Sequence, residues 1–311
     1  MEKKGIVGQG IGIKNGCCMK VCIVGLGLIG GSIGVDLAGK PGITRRIGVE
    51  RNPENAAMAL SLGLVDEVAS EADAFGQADL VLLAIPVNAI RGLLPEILDA
   101  VRPDATVIDL GSTKAAICKA VAGHSRRGQF VAAHPVAGTE NSGPQAAESR
   151  LFKGRFNIIC ERERSDQESL YRAEKLFTML GLKTIFMDAE EHDKHVAYVS
   201  HLSHVSSFLL AQTVLDMEKD EKQIFSLAGS GFASTVRLAK SSPDMWTPIF
   251  EQNMEYLGHA LTEYIMHLQR FQYHLMKRNT REIQATLLQA NKIRRVLDEK
   301  EEQGKSIVYS Q

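Results

Sequence analysis

The 311-residue chain carries a formal net charge of −1 and is 44% hydrophobic. That balance gives no bulk attraction to nucleic acid or to an anionic membrane, so an anionic ligand must be held by a few local cations. No apolar run reaches the roughly 18 residues of a membrane span, and Cys17, Cys18, Cys22, Cys118 and Cys160 form no regular framework, reading as free thiols of a reducing cytoplasm.

Residues 1–18 repeat glycine without an amphipathic period and read as a flexible leader ahead of Met19. From Lys20 onward, strand and helix signals alternate. Val21–Val24 is a short apolar run ending in glycine, and Ile29–Ala38 follows with helical spacing. Ile47–Glu50 is a second run; Pro53 suits the first turn of a helix continuing over Glu54–Leu62. Leu80–Ile85 is strongly apolar and stops at Pro86, as a strand buried on both faces does. Thr106–Leu110 and Phe130–Ala133 repeat the pattern, stopped by Gly111 and by His134-Pro135. Such alternation predicts an α/β fold, a mostly parallel sheet with helices on both faces. After about Asp188 the strand signals disappear, and helical patterns run over roughly 190–217, 221–240, 246–276 and 279–300. The expected organisation is therefore a leader (1–18), a sheet domain (19–188), an all-α domain (189–300) and a polar tail (301–311).

Gly25-Leu26-Gly27-Leu28-Ile29-Gly30 is a G-x-G-x-x-G between a predicted strand and a predicted helix. Its first glycine permits the tight turn, its second a close approach of backbone to pyrophosphate, and its third the packing of helix on strand. The helix N-terminus then receives the phosphates. Glu50 ends the second strand, where a carboxylate can bond both ribose hydroxyls and repel a 2′-phosphate. This is a Rossmann-type dinucleotide site favouring NAD, with Arg51 beside it as the one group that could pair with a 2′-phosphate. Ile85-Pro86 and Gly111-Ser112-Thr113-Lys114 end later strands on the same edge and should border the nicotinamide half of the cofactor.

His134 opens the segment His134-Pro135-Val136-Ala137-Gly138-Thr139-Glu140 at the end of another strand. An imidazole facing the cofactor crevice suits proton acceptance near neutral pH. On the residues alone, that role and a turn-capping role stand level. His201 and His204 share one helical face, as do His192 and His195. Without an acidic or thiol ligand at metal spacing they point to anion binding or packing and not to a metal. Arg237 follows a glycine bend, Gly229 to Gly231; taken by itself it is an ordinary surface cation, although a guanidinium is the best fork for a carboxylate.

Together these segments resemble the prephenate/arogenate dehydrogenase family of tyrosine biosynthesis. The resemblance runs from about Lys20 to about Arg294. It rests on Val24-Gly25-Leu26-Gly27-Leu28-Ile29-Gly30-Gly31-Ser32, Gly111-Ser112-Thr113-Lys114, His134 to Glu140, Ser200-His201-Leu202-Ser203-His204, Gly231-Phe232 through Arg237-Leu238-Ala239, Pro243-Asp244-Met245-Trp246 and Asn253. It implies NAD-dependent oxidative decarboxylation of prephenate. By the same resemblance His134 accepts the hydrogen bond of the ring hydroxyl and acts as base, and Ser112 supports that histidine and the nicotinamide. His204 and Arg237 bind substrate anions, Glu140 helps gate the pocket, and Ser200 and Thr139 line it. The helical half is implied to form a homodimer, and the expected enzyme is monofunctional. One departure is Ala233-Ser234-Thr235, where some members are expected to carry an acid.

Three alternatives stand beside this expectation. Arogenate dehydrogenase is the same chemistry on the amino-acid analogue; a cationic pocket of His204 and Arg237 would favour the keto acid over an ammonium. A β-hydroxyacid dehydrogenase would use a lysine base, for which Lys194, Lys219 and Lys222 are available. A non-catalytic NAD-binding scaffold would need none of His134, Ser112 and Arg237.

Overall fold

The computed structural model describes residues 18–220 and 224–299, so the expected leader (Cys18 apart), the tail and Lys222 lie outside the described residues. One eight-stranded sheet forms from β1 (Met19–Val24), β2 (Ile43–Val49), β3 (Glu67–Val68), β4 (Leu80–Leu83), β5 (Thr106–Asp109), β6 (Phe130–Pro135), β7 (Phe156–Cys160) and β8 (Lys183–Met187) in the order β3-β2-β1-β4-β5-β6-β7-β8. Every neighbouring pair is parallel except β6 with β7. The central strands are buried on both faces, which is why they read as unbroken apolar runs.

Three strands leave no such signature. β3 is two residues long. β7 runs antiparallel to β6 and parallel to β8, and β8 closes the sheet as an edge strand with Ile185 and Phe186 exposed.

Helices α1 (Leu28–Leu37), α2 (Pro53–Ser61), α3 (Glu71–Gln77), α4 (Val87–Ala100), α5 (Ala115–Ala120) and α6 (Gln167–Met179) cover both faces. One apolar layer packs Ile33, Leu37, Leu176 and Phe177 on the sheet, and the opposite layer packs Phe75, Ile90, Leu94 and Ile117. The Asn52 side chain accepts the Glu54 and Asn55 amides at 2.8 and 3.1 Å, so α2 starts at Pro53 with its free donors satisfied.

The helical half opens at Asp188, whose carboxylate caps α7 (Ala189–Val196). A π-helical turn over Ala197–His201 joins α7 to α8 (Leu202–Asp220). The expected helix over 221–240 is instead short: α9 (Ser230–Thr235) stands between turns, in keeping with the poor helix propensity of Gly229 and Gly231. The expected helix over 246–276 is two: α10 (Pro243–Gln252) and α11 (Met254–Met276) meet at Asn253, where φ −114° and ψ 28° break the helix. The reason is tertiary. The Asn253 amide is buried and donates to the Asp193 carbonyl at 2.7 Å, fastening the break to α7. Finally, α12 (Thr280–Ala290) packs along α11. Among the described residues, no helix is long and apolar enough to cross a membrane.

Candidate active site

The parallel strands β1, β4, β5 and β6 bring the residues after their C-terminal ends to one edge, the edge where open α/β sheets bind ligands. The turn after β1 puts Gly25 at φ +89°, and a Cβ there would meet the Ala84 carbonyl oxygen at 2.6 Å and Ile85 Cγ2 at 2.8 Å. Gly27, in contrast, faces open space: a Cβ on it would find no atom within 4 Å. α1 then starts at Leu28-Ile29, with Gly27 at its cap position and no side chain capping the first turn. Its donors and an unobstructed approach are what a pyrophosphate requires.

Glu50 follows β2. Its carboxylate accepts the Leu26 amide at 3.1 Å and the Asn52 amide at 3.0 Å, which fixes it beside the glycine turn. Arg51 is turned to solvent, its nearest carboxylate being Glu71 at 3.9 Å. Pro86 starts α4 on the far side of the turn. These residues fit a dinucleotide with two free ribose hydroxyls.

His134 is the last residue but one of β6, at this edge. Its Nδ1 lies 2.8 Å from His192 Nε2, and His192 Nδ1 lies 2.8 Å from Asp193 Oδ1. Asp193 also accepts the backbone amides of Lys114 at 2.8 Å and Ala115 at 2.9 Å, thereby capping α5 from the helical half. The side chain holding His134 is therefore His192 and not Ser112, which sits half-buried on the neighbouring strand end. Beneath them Lys114 and Asp109, both fully buried, form an ion pair; Lys114 Nζ also donates to the Ala133 carbonyl at 2.7 Å, and Asp109 accepts the Ala133 amide at 2.9 Å. The backbone entering His134 is thus clamped from both its polar groups. Burial, with the neighbouring His192 and Lys114, drives the His134 pKa well below the ordinary imidazole range, so the ring is neutral at pH 7.

The helical half closes the crevice. The Asn253 amide also reaches His201 Nδ1 at 3.0 Å, and burial lowers His201 from 6.5 to about 4. His201 meets the Trp246 ring edge-on, and His204 stacks on the same indole with centroids 3.5 Å apart. His204 Nδ1 donates to the Ser200 carbonyl at 3.0 Å. Burial first and the Arg237 charge second lower the His204 pKa, which leaves it neutral. This corrects the expectation of two cations: at neutral pH the positive charge belongs to Arg237 alone of the pair. Arg237 in turn meets Glu140 at 2.5 Å, six residues beyond His134, with Thr139 half-buried beside it. The paired histidines do not share a metal-like cluster: His192 is buried against His134, while His195 is exposed.

Residues 40–186 match the profile "Prephenate dehydrogenase, nucleotide-binding domain", and residues 188–289 match "Prephenate dehydrogenase, dimerization domain". The chain belongs to the prephenate dehydrogenase family. It is 29% identical over 283 residues to the prephenate dehydrogenase of Lactococcus lactis, covering 90% of this chain and 77% of that one. The crystal structure of the Aquifex aeolicus prephenate dehydrogenase, in complex with hydroxyphenyl propionate and NAD+, superposes with a TM-score of 0.78 at 30% identity, covering 89% of this chain and 97% of that one. The arogenate dehydrogenase of Synechocystis is also similar, with a TM-score of 0.70 at 30% identity over 90% of this chain and all (100%) of that one. Family membership therefore fixes the type of enzyme and leaves two substrates to be told apart.

Sequence reasoning missed His192 and Asp193 as parts of the site. One signal existed: α5 starts after Lys114 with no capping side chain of its own, so its first amides had to find a carboxylate elsewhere.

Proposed function

We propose that this protein catalyses the NAD-dependent oxidative decarboxylation of prephenate to 4-hydroxyphenylpyruvate in cytosolic tyrosine biosynthesis. The observation that carries the reading is a neutral imidazole, His134, held over the strand edge that also bears the glycine turn, with the Arg237 guanidinium at the crevice mouth.

NAD is the cofactor: Glu50 and the open face of Gly27 hold it, and when bound it supplies a hydride acceptor. His134 accepts the proton of the C4 hydroxyl as hydride leaves C4. The C1 carboxylate then departs as CO₂, its bonding pair completes the aromatic ring, and the phenol oxygen recovers a proton. Because the product is aromatic, the residues need only orient the ring and polarise the hydroxyl. Arg237 binds a carboxylate at the side-chain end, Ser112 lies against the nicotinamide position, and Ser200, Thr139 and His204 shape the wall. Exposed apolar residues on α8, α11 and α12, among them Leu209, Leu215, Met266 and Leu287, support a homodimer through the helical half.

Arogenate is the second reading, and Glu140 is the observation in its favour, since a carboxylate beside the pocket can pair with an ammonium. Absorbance at 340 nm with NAD or NADP and either substrate tests both. The expected result is NADH formation with the larger kcat/KM for prephenate. A larger value for arogenate reverses the substrate assignment, and no turnover of either removes the reaction.

A further inference from the structure

Hydrogen-bond donors and acceptors must alternate along Asp193–His192–His134. A carboxylate only accepts, and Asp193 is already committed to the Lys114 and Ala115 amides, so its contact at 2.8 Å requires a proton on His192 Nδ1. A neutral imidazole carries one proton, and burial lowers the His192 pKa. Its Nε2 is therefore a lone pair, and the contact at 2.8 Å with His134 Nδ1 requires the proton on His134 Nδ1. That leaves His134 Nε2 unprotonated. Reversing every bond would put the proton on His192 Nε2 and leave the Nδ1 lone pair facing a lone pair of the Asp193 carboxylate, which the arrangement forbids.

We infer that Asp193, acting through His192, is a positioning residue that fixes which nitrogen of His134 is open as acceptor. It does not touch substrate. The inference rests on the reading of His134 as the base, and it adds the device that keeps the base in its working tautomer. The carboxylate does this from the helical half while the imidazole it governs belongs to the sheet, so the acceptor exists only when the two halves are docked.

The test separates the device from the reaction, because a tautomer can be read without substrate. In ¹⁵N-labelled protein, the His134 ring is expected to carry its proton on Nδ1. Asp193→Asn keeps an oxygen for only one of the two α5 amides, because Oδ1 accepts both the Lys114 amide and the His192 ring while Oδ2 accepts the Ala115 amide. With its NH₂ group in the Oδ1 place, given up by the Lys114 amide, it donates to His192 Nδ1, every proton in the chain reverses and His134 becomes protonated on Nε2. The kcat for the family substrate is expected to fall about 10–100-fold or more, with NAD affinity near that of the parent and a lowered Tm from the amide of α5 left without its acceptor. In His192→Gln the relay is cut, and adding Asp193→Asn to it should then cost no further loss in kcat.

A parent spectrum with the proton on His134 Nε2 overturns the inference, even if the Asn variant does not fold. So does a full additional loss in the double variant. An enzyme that shows the expected tautomers but turns over neither prephenate nor arogenate leaves the relay standing and removes the proposed reaction instead.

Discussion

Gly30 lies so close to Gly25 that a Cβ on it would stand 2.0 Å from the Gly25 carbonyl oxygen. The two glycines belong to one packing contact between α1 and the turn after β1, so Gly30→Ala is a folding lesion. It should lower stability by at least about 1–3 kcal/mol, the usual cost of overpacking, read by urea unfolding. Gly27→Ala should differ in kind. Its methyl would enter open space, so Tm should hardly move while NAD affinity drops. Equal effects of the two substitutions on Tm would contradict this division.

His134→Asn should lower kcat by about 10²–10⁴, the range for a lost general base, with NAD affinity little changed. Steady-state kinetics with a fluorescence titration of the cofactor checks both halves. An unchanged kcat would take the imidazole out of the chemistry.

Arg237 and Glu140 meet where solvent reaches both, so their pairing adds little to stability. Its effect should fall on substrate. Arg237→Ala is expected mainly to raise KM. Glu140→Gln should raise the ratio of kcat/KM for prephenate to that for arogenate, because it removes the one carboxylate seen beside the guanidinium. A ratio that falls would place the ammonium elsewhere.

The buried histidines predict acid sensitivity. His201 has its pKa lowered from 6.5 to about 4, chiefly by burial. A base whose folded pKa lies below its unfolded one binds fewer protons when folded, so its contribution is intact above pH 6.5 and is lost as pH falls toward 4. The loss from this one group is on the order of 3 kcal/mol. Chemical denaturation at stepped pH should show it, and His201→Gln should flatten the slope over that window. A stability that rose between pH 6.5 and 4 would contradict the assignment.

The sheet's centre was legible because β1, β4 and β5 are buried on both faces, a condition that forces consecutive apolar residues. β8 was not, since an edge strand half in solvent keeps no such run, and the break at Asn253 was not, since its cause lies 60 residues away in Asp193. Within the site, the glycine turn and Glu50 are local in sequence and were readable. Ser112 was expected to hold His134, whereas His192, 58 residues distant, does so. A contact across such a separation has no local pattern to betray it. The cationic reading of His204 failed for a related reason: charge was inferred from residue type, and burial against Trp246 sets the protonation state.

The capping of α5 by Asp193 has a mechanical corollary. With Thr113 Oγ1 also donating to Gln252 Oε1 at 2.9 Å and His192 meeting His134, the two halves are riveted at the reacting end. A clamshell rotation large enough to admit a ring would have to shear all of these fastenings and expose a helix end. Arg237 and Glu140, by contrast, pair at the rim in reach of solvent, where their separation would disturb none of these bonds.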